Sequence, residues 1–161
     1  MVPAAVSPAA RRVRPRVRPS RGERRMNYDT FVDQVAQRAG VPSTRAVELT
    51  RATLETLAER LTGGEALDLA AQLPKPLQLL LRKTPTTEHA DRFGAAEFVA
   101  RVGQRADVDS PAARSGIRAV FVTLREAITG GEFDDVAAQL PRDYRDLVEP
   151  AMAPGASLRR A

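Results

Sequence analysis

The sequence predicts an all-α protein: a helical bundle of two tandem four-helix repeats packed with pseudo-two-fold symmetry, behind a disordered basic N-terminal tail. Three observations lead there. Residues 31–80 align with residues 98–147 without a gap, at a constant offset of 67. Apolar residues recur three and four apart, the spacing of one helix face. Glycine pairs and prolines interrupt both copies at the same places.

The alignment is dense. Phe31-Val32 matches Phe98-Val99, Val35 matches Val102, and Gln37-Arg38-Ala39 matches Gln104-Arg105-Ala106. Arg51-Ala52 matches Arg118-Ala119, and Thr56-Leu57 matches Thr123-Leu124. Two longer blocks complete it. Thr62-Gly63-Gly64-Glu65 matches Thr129-Gly130-Gly131-Glu132, with Asp68 and Asp135 behind them. Ala70-Ala71-Gln72-Leu73-Pro74 matches Ala137-Ala138-Gln139-Leu140-Pro141.

In each copy the first helix is expected over about 28–39 and 95–106, with Phe31, Val35 and Ala39 on one face. Val41-Pro42 and Val108-Asp109 break it. Ser43 and Ser110 are expected to cap the second helix, since a serine oxygen accepts an orphan N–H of a first turn. Ile117, Val120, Phe121, Leu124 and Ile128 form its apolar stripe in the second copy; Thr50, Thr53, Leu54, Leu57 and Leu61 stand there in the first. Gly63-Gly64 and Gly130-Gly131 are expected to end that helix, where positive φ is wanted. A short third helix comes next, about 65–72 and 132–139, with Glu65 and Glu132 in its first turn opposing the positive helix end. Pro74 and Pro141 stop it and open a fourth, about 74–82 and 141–148. The domain reading is therefore a first repeat over 26–82, a linker over 83–93, a second repeat over 94–149 and a disordered tail over 150–161. A unit this small seldom stabilises itself, so the copies should share one core.

Composition narrows the functions. Cysteine is absent, which removes disulfides, thiolate metal sites and cysteine nucleophiles and fits a reducing, cytoplasmic setting. No apolar run is long enough to span a membrane. The chain carries +5 overall, but residues 1–25 hold eight arginines against one acid, which leaves the rest at −2. A nucleic-acid argument from charge thus rests on the tail alone, where Arg11, Arg12, Arg14, Arg16 and Arg18 are the candidate phosphate contacts. Three readings of that tail stand open: a basic arm, a solvated extension, or a segment upstream of a true start at Met26.

The paired blocks resemble the bacterial family called domain of unknown function 2267. The resemblance implies an all-helical protein with duplicated helical units and assigns no activity, cofactor or catalytic residue.

Residue by residue, no catalytic or metal site is expected. His89, the one histidine, sits in the polar linker without a nucleophile motif. Glu65 and Asp68 share a helix face, as do Glu132 and Asp135, and a two-fold arrangement could gather the four around a hard cation; helix capping is the plainer role. Thr62-Gly63-Gly64 lacks the lysine and the strand of a phosphate loop. Arg51 and Arg118 could pair with a carboxylate one turn on or bind an anionic partner. The expectation is a non-enzymatic module without cofactor that binds a protein partner or itself. The alternatives are nucleic-acid binding through the tail and small-ligand binding between the repeats.

Overall fold

The computed structural model describes residues 26–82, 90 and 92–152. The basic tail with its candidate phosphate contacts Arg11, Arg12, Arg14, Arg16 and Arg18, most of the linker with His89, and residues 153–161 lie outside the described residues.

Among the described residues the chain forms eight α-helices and two 3-10 turns, with no strand. In the first half α1 is Tyr28–Ala39, α2 is Ser43–Arg60, α3 is Gly63–Ala71 and α4 is Lys75–Gln78, extended by a 3-10 turn over Leu79–Leu81. In the second half α5 is Ala95–Ala106, α6 is Ser110–Ala127 and α7 is Gly130–Ala138. A 3-10 turn over Arg142–Tyr144 then leads into α8, Arg145–Met152.

The halves exchange partners. Helix α1 packs on α6 and α2 packs on α5, so each half lays its first helix on the other half's second helix. Helices α2 and α6 also meet, as do α3 and α7. One buried cluster runs through both halves and includes Phe31, Val35, Leu54, Leu57, Phe98, Val102, Val120 and Leu124. Removing that area from water is the main stabilising term, and neither half could complete it alone.

Polar bonds between the halves repeat at the same offset of 67. Arg38 donates to Thr123 at 2.9 Å and pairs with Glu126 at 2.8 Å. Arg105 donates to Thr56 at 2.8 Å and pairs with Glu59 at 2.6 Å. Arg101 adds a second bond to Glu59 at 2.8 Å. Burial pushes the Glu59 carboxyl up, but the bonds from Arg105 and Arg101 outweigh it and hold it below its ordinary value.

Where positions 67 apart meet directly, they need not be alike. Leu49 lies on Gly116, its own counterpart: a Cβ built on Gly116 would stand 2.6 Å from the Leu49 Cδ2. The glycine is the hole that the leucine fills, and it lets α2 and α6 approach closely.

Several boundaries differ from the expectation. The first helices end on residues in the left-handed conformation, Gly40 (φ 68°) and Asp107 (φ 59°). Glycine has no Cβ penalty there and aspartate tolerates it. Ser43 and Ser110 are not caps but first helical residues. Pro42, held at φ −70° and ψ 160°, occupies the cap position of α2, and the Asp109 carboxylate caps α6 by accepting the Ala112 N–H at 3.1 Å. Gly63-Gly64 and Gly130-Gly131 do not end the second helices; they begin the third ones, because Thr62 and Thr129 cap α3 and α7. The linker is not wholly solvent-facing either. Phe93 packs against the core, and its carbonyl accepts from Arg60 Nε at 3.0 Å and from the Tyr144 hydroxyl at 2.7 Å.

The second half also does not stop at Pro150. Helix α8 runs through it to Met152. A proline inside a helix leaves the carbonyl four residues earlier without its donor. Here that carbonyl belongs to Asp146, and Arg118 Nε donates to it at 3.1 Å. The guanidinium replaces the missing N–H, which allows the helix to continue.

Candidate functional site

Helices α3 and α7 pack side by side, the start of each beside the end of the other, and each begins with a Thr-Gly-Gly-Glu block. Each block is a capping box: Ser or Thr at the cap position and Glu three residues on. Half of the box is made in each. The Thr62 Oγ1 accepts the Glu65 N–H at 3.3 Å, and the Thr129 Oγ1 accepts the Glu132 N–H at 3.1 Å.

The return bond is made by a different residue. In an ordinary box the glutamate carboxylate reaches back to the threonine N–H. Here the Gln139 Oε1 accepts the Thr62 N–H at 3.1 Å, and the Gln72 Oε1 accepts the Thr129 N–H at 2.9 Å. Both bonds cross between the halves. The Gln of each Ala-Ala-Gln-Leu-Pro block thus completes the cap of the other half, which leaves the glutamate carboxylates free of that task.

Those carboxylates face each other. Oxygens from Glu65, Glu132 and Asp135 lie within 4.8 Å of one another. The Oε2 atoms of Glu65 and Glu132 are shut off from solvent and accept no hydrogen bond from a protein donor. Burial first, then the facing Glu132, Asp135 and Asp68, together push the Glu65 carboxyl up to about 8. Near neutrality Glu65 can therefore keep its proton, as a second negative charge beside the facing carboxylates is disfavoured. The same three side chains also have the oxygen chemistry and spacing to hold a hard cation.

Helix spacing pairs Glu65 with Asp68 and Glu132 with Asp135, and two-fold symmetry would place all four near one axis. The structure brings Glu65, Glu132 and Asp135 into one cluster, while Asp68 acts on Glu65 only through its charge. In sequence Gln72 and Gln139 are markers of the repeat, with nothing to indicate their capping role. The capping-box spacing is the signal for the threonines; no local signal exists for the glutamines, whose donors lie 57 and 77 residues away. Leu73 is buried in the core and Leu140 packs against it, while Pro74 and Pro141 stand at the cap positions that open the next elements.

The second feature is a set of exposed positions at which the halves differ. Val47, Leu67 and Leu79 are exposed, Leu67 by 60% and Leu79 by 63%. Their counterparts 67 residues on are Arg114, Asp134 and Asp146. In the second half these are charged, and Asp146 pairs with Arg118 at 3.2 Å and approaches Arg114 at 3.9 Å. The partner of Arg118 is not a residue one turn along its own helix but one on α8, because Val122 stands one turn on. The first half presents apolar groups to solvent at the equivalent points.

No helix among the described residues is long and apolar enough to cross a membrane. The model of a family described as uncharacterized conserved protein (DUF2267) matches residues 12–147. Nothing among curated proteins matches the chain.

Proposed function

The chain belongs to the DUF2267 family of uncharacterized conserved proteins, and from that premise we propose that it is a non-enzymatic module of the cytoplasm that binds a protein partner or a second copy of itself. One observation carries the reading. Leucines and a valine stay in water on the first half where the second half, built on the same pattern, presents arginine and aspartate. Each of these side chains gains free energy when another surface covers it. Helical faces of this kind are a usual means of protein recognition.

The test is site-specific photo-crosslinking in the native cell, with the full-length chain carrying the photoreactive residue at position 67 or 79 and a control at 114. Crosslinks to a protein or to a second copy, enriched over the control, support the module. Crosslinking no greater than the control, together with a monomer at every concentration tried, would overturn it.

A further inference from the structure

In the second half an ion cluster bridges the long second helix and the last helix. Arg114 and Arg118 project from α6, and Asp146 answers from α8. Arg118 has two tasks there: its Nη2 bonds the Asp146 carboxylate at 3.2 Å and its Nε bonds the carbonyl that Pro150 leaves free at 3.1 Å.

In the first half the same three positions hold Val47, Arg51 and Leu79, and α2 lies against the turn that carries Leu79. Neither task exists for Arg51. Leucine replaces the aspartate, and the proline's counterpart is Lys83. Arg51 is exposed and bonds no carboxylate among the described residues; Glu55, one turn on, is not bonded to it. Glu48 is engaged by Arg45 at 3.3 Å. The segment from Lys75 to Arg82 carries two cations and no acid, whereas its counterpart, Arg142 to Glu149, mixes Asp143, Asp146 and Glu149 with two arginines. Val47 is 37% exposed and Leu79 63%.

We propose that Val47, Arg51 and Leu79 dock an acidic amphipathic helix of a partner protein, whose carboxylate takes Arg51 as Asp146 takes Arg118 and whose apolar face covers the valine and the leucine. The inference deepens the protein-binding reading above and rests on it. What the first half lacks, relative to the second, is one carboxylate and a cover for two apolar side chains. An amphipathic helix with acids along the edge of its apolar stripe supplies both. A nucleic acid would match the arginine and leave the leucine in water.

The probe is a labelled amphipathic helical peptide with leucines on one face and glutamates along its edge. Its binding to the full-length chain is read by fluorescence anisotropy and mapped by amide chemical shifts. Saturable binding is expected, with shifts around residues 47, 51 and 79 and none around 114, 118 and 146. Leu79→Asp rebuilds the second half's ion pair within the first half, so the chain should fold and bind at least about tenfold more weakly. Replacing the peptide's glutamates with glutamines should weaken binding to the native chain but not to Arg51→Gln. The proposal is overturned by absent or non-saturable binding, by Leu79→Asp binding as the native chain does, or by a peptide indifferent to loss of its acids. It is also overturned if Leu79→Asp only dissolves a dimer, which would assign the face to a second copy. A protein crosslinked at position 79 alongside no peptide binding would keep the module reading and remove this one.

Discussion

Gln139 accepts the backbone N–H of Thr62 at 3.1 Å, a bond that in an ordinary capping box would be made by Glu65. Gln72 stands in the same relation to Thr129 at 2.9 Å. The two glutamines therefore tie the starts of α3 and α7 to the opposite half.

Gln139→Ala should lower stability by about 1 kcal/mol, the usual worth of a partly exposed hydrogen bond. Thr62→Ala, which removes the side-chain cap itself, should cost about the same. Denaturant unfolding followed by circular dichroism measures both. A Gln139→Ala chain as stable as the native one would mean that Glu65 swings back to close the box unaided.

Glu65 gives the fold a pH dependence with a definite sign. Its folded pKa, about 8, lies above the ordinary carboxyl value of 4.5, so the folded state holds a proton more tightly than the unfolded chain. The stabilisation from that proton is complete below about 4.5 and is lost as pH rises through about 8. Glu65→Gln should thus gain on the native chain as pH is raised from 5 to 9. A relative gain of ~1 kcal/mol is reasonable once solvent screening of this partly accessible pair is allowed for. Parallel curves of melting temperature against pH for the two proteins would contradict it.

At Gly116, adding a methyl opposes two effects. Alanine improves helix propensity by ~1 kcal/mol, but its Cβ would lie 2.6 Å from Leu49 Cδ2 in a closed core, and overpacking costs ~1–3 kcal/mol. Gly116→Ala should be net destabilising in the native background and stabilising in Leu49→Ala, where the leucine is gone. A double-mutant cycle reads the coupling directly; additive effects would deny the contact.

Residues 26–82 expressed alone should lack a cooperative melt, because α1 and α2 expose the faces that α6 and α5 cover. A sharp thermal transition in that fragment, monomeric by light scattering, would show that one half suffices.

The helix pattern is readable in the sequence where the signals are local. The periodic stripes of α1, α2, α5 and α6 arise from side chains three and four apart, and the match at an offset of 67 makes each half a check on the other. The junctions are harder. Thr-Gly-Gly-Glu carries two conflicting signals, glycines that suit a helix end and a threonine with a glutamate three on that suits a helix start. The start wins because Leu61 and Ile128 are already extended and buried, which leaves the threonines to cap the next helix. Likewise Pro150 reads as a terminator, since nothing nearby in sequence announces that Arg118, 28 residues before Asp146, would satisfy the freed carbonyl. In the candidate site, the acids can be picked out from spacing. Their isolation from the caps cannot, for it depends on glutamines delivered by the opposite half.

The leucine seated on its own glycine counterpart makes the two halves non-interchangeable. Two copies of the first half would bring leucine against leucine and collide; two copies of the second would bring glycine against glycine and leave a void. The seam between α2 and α6 is therefore built for unlike partners at this point, one half supplying the peg and the other the socket. A chain made of two identical halves could not satisfy that contact.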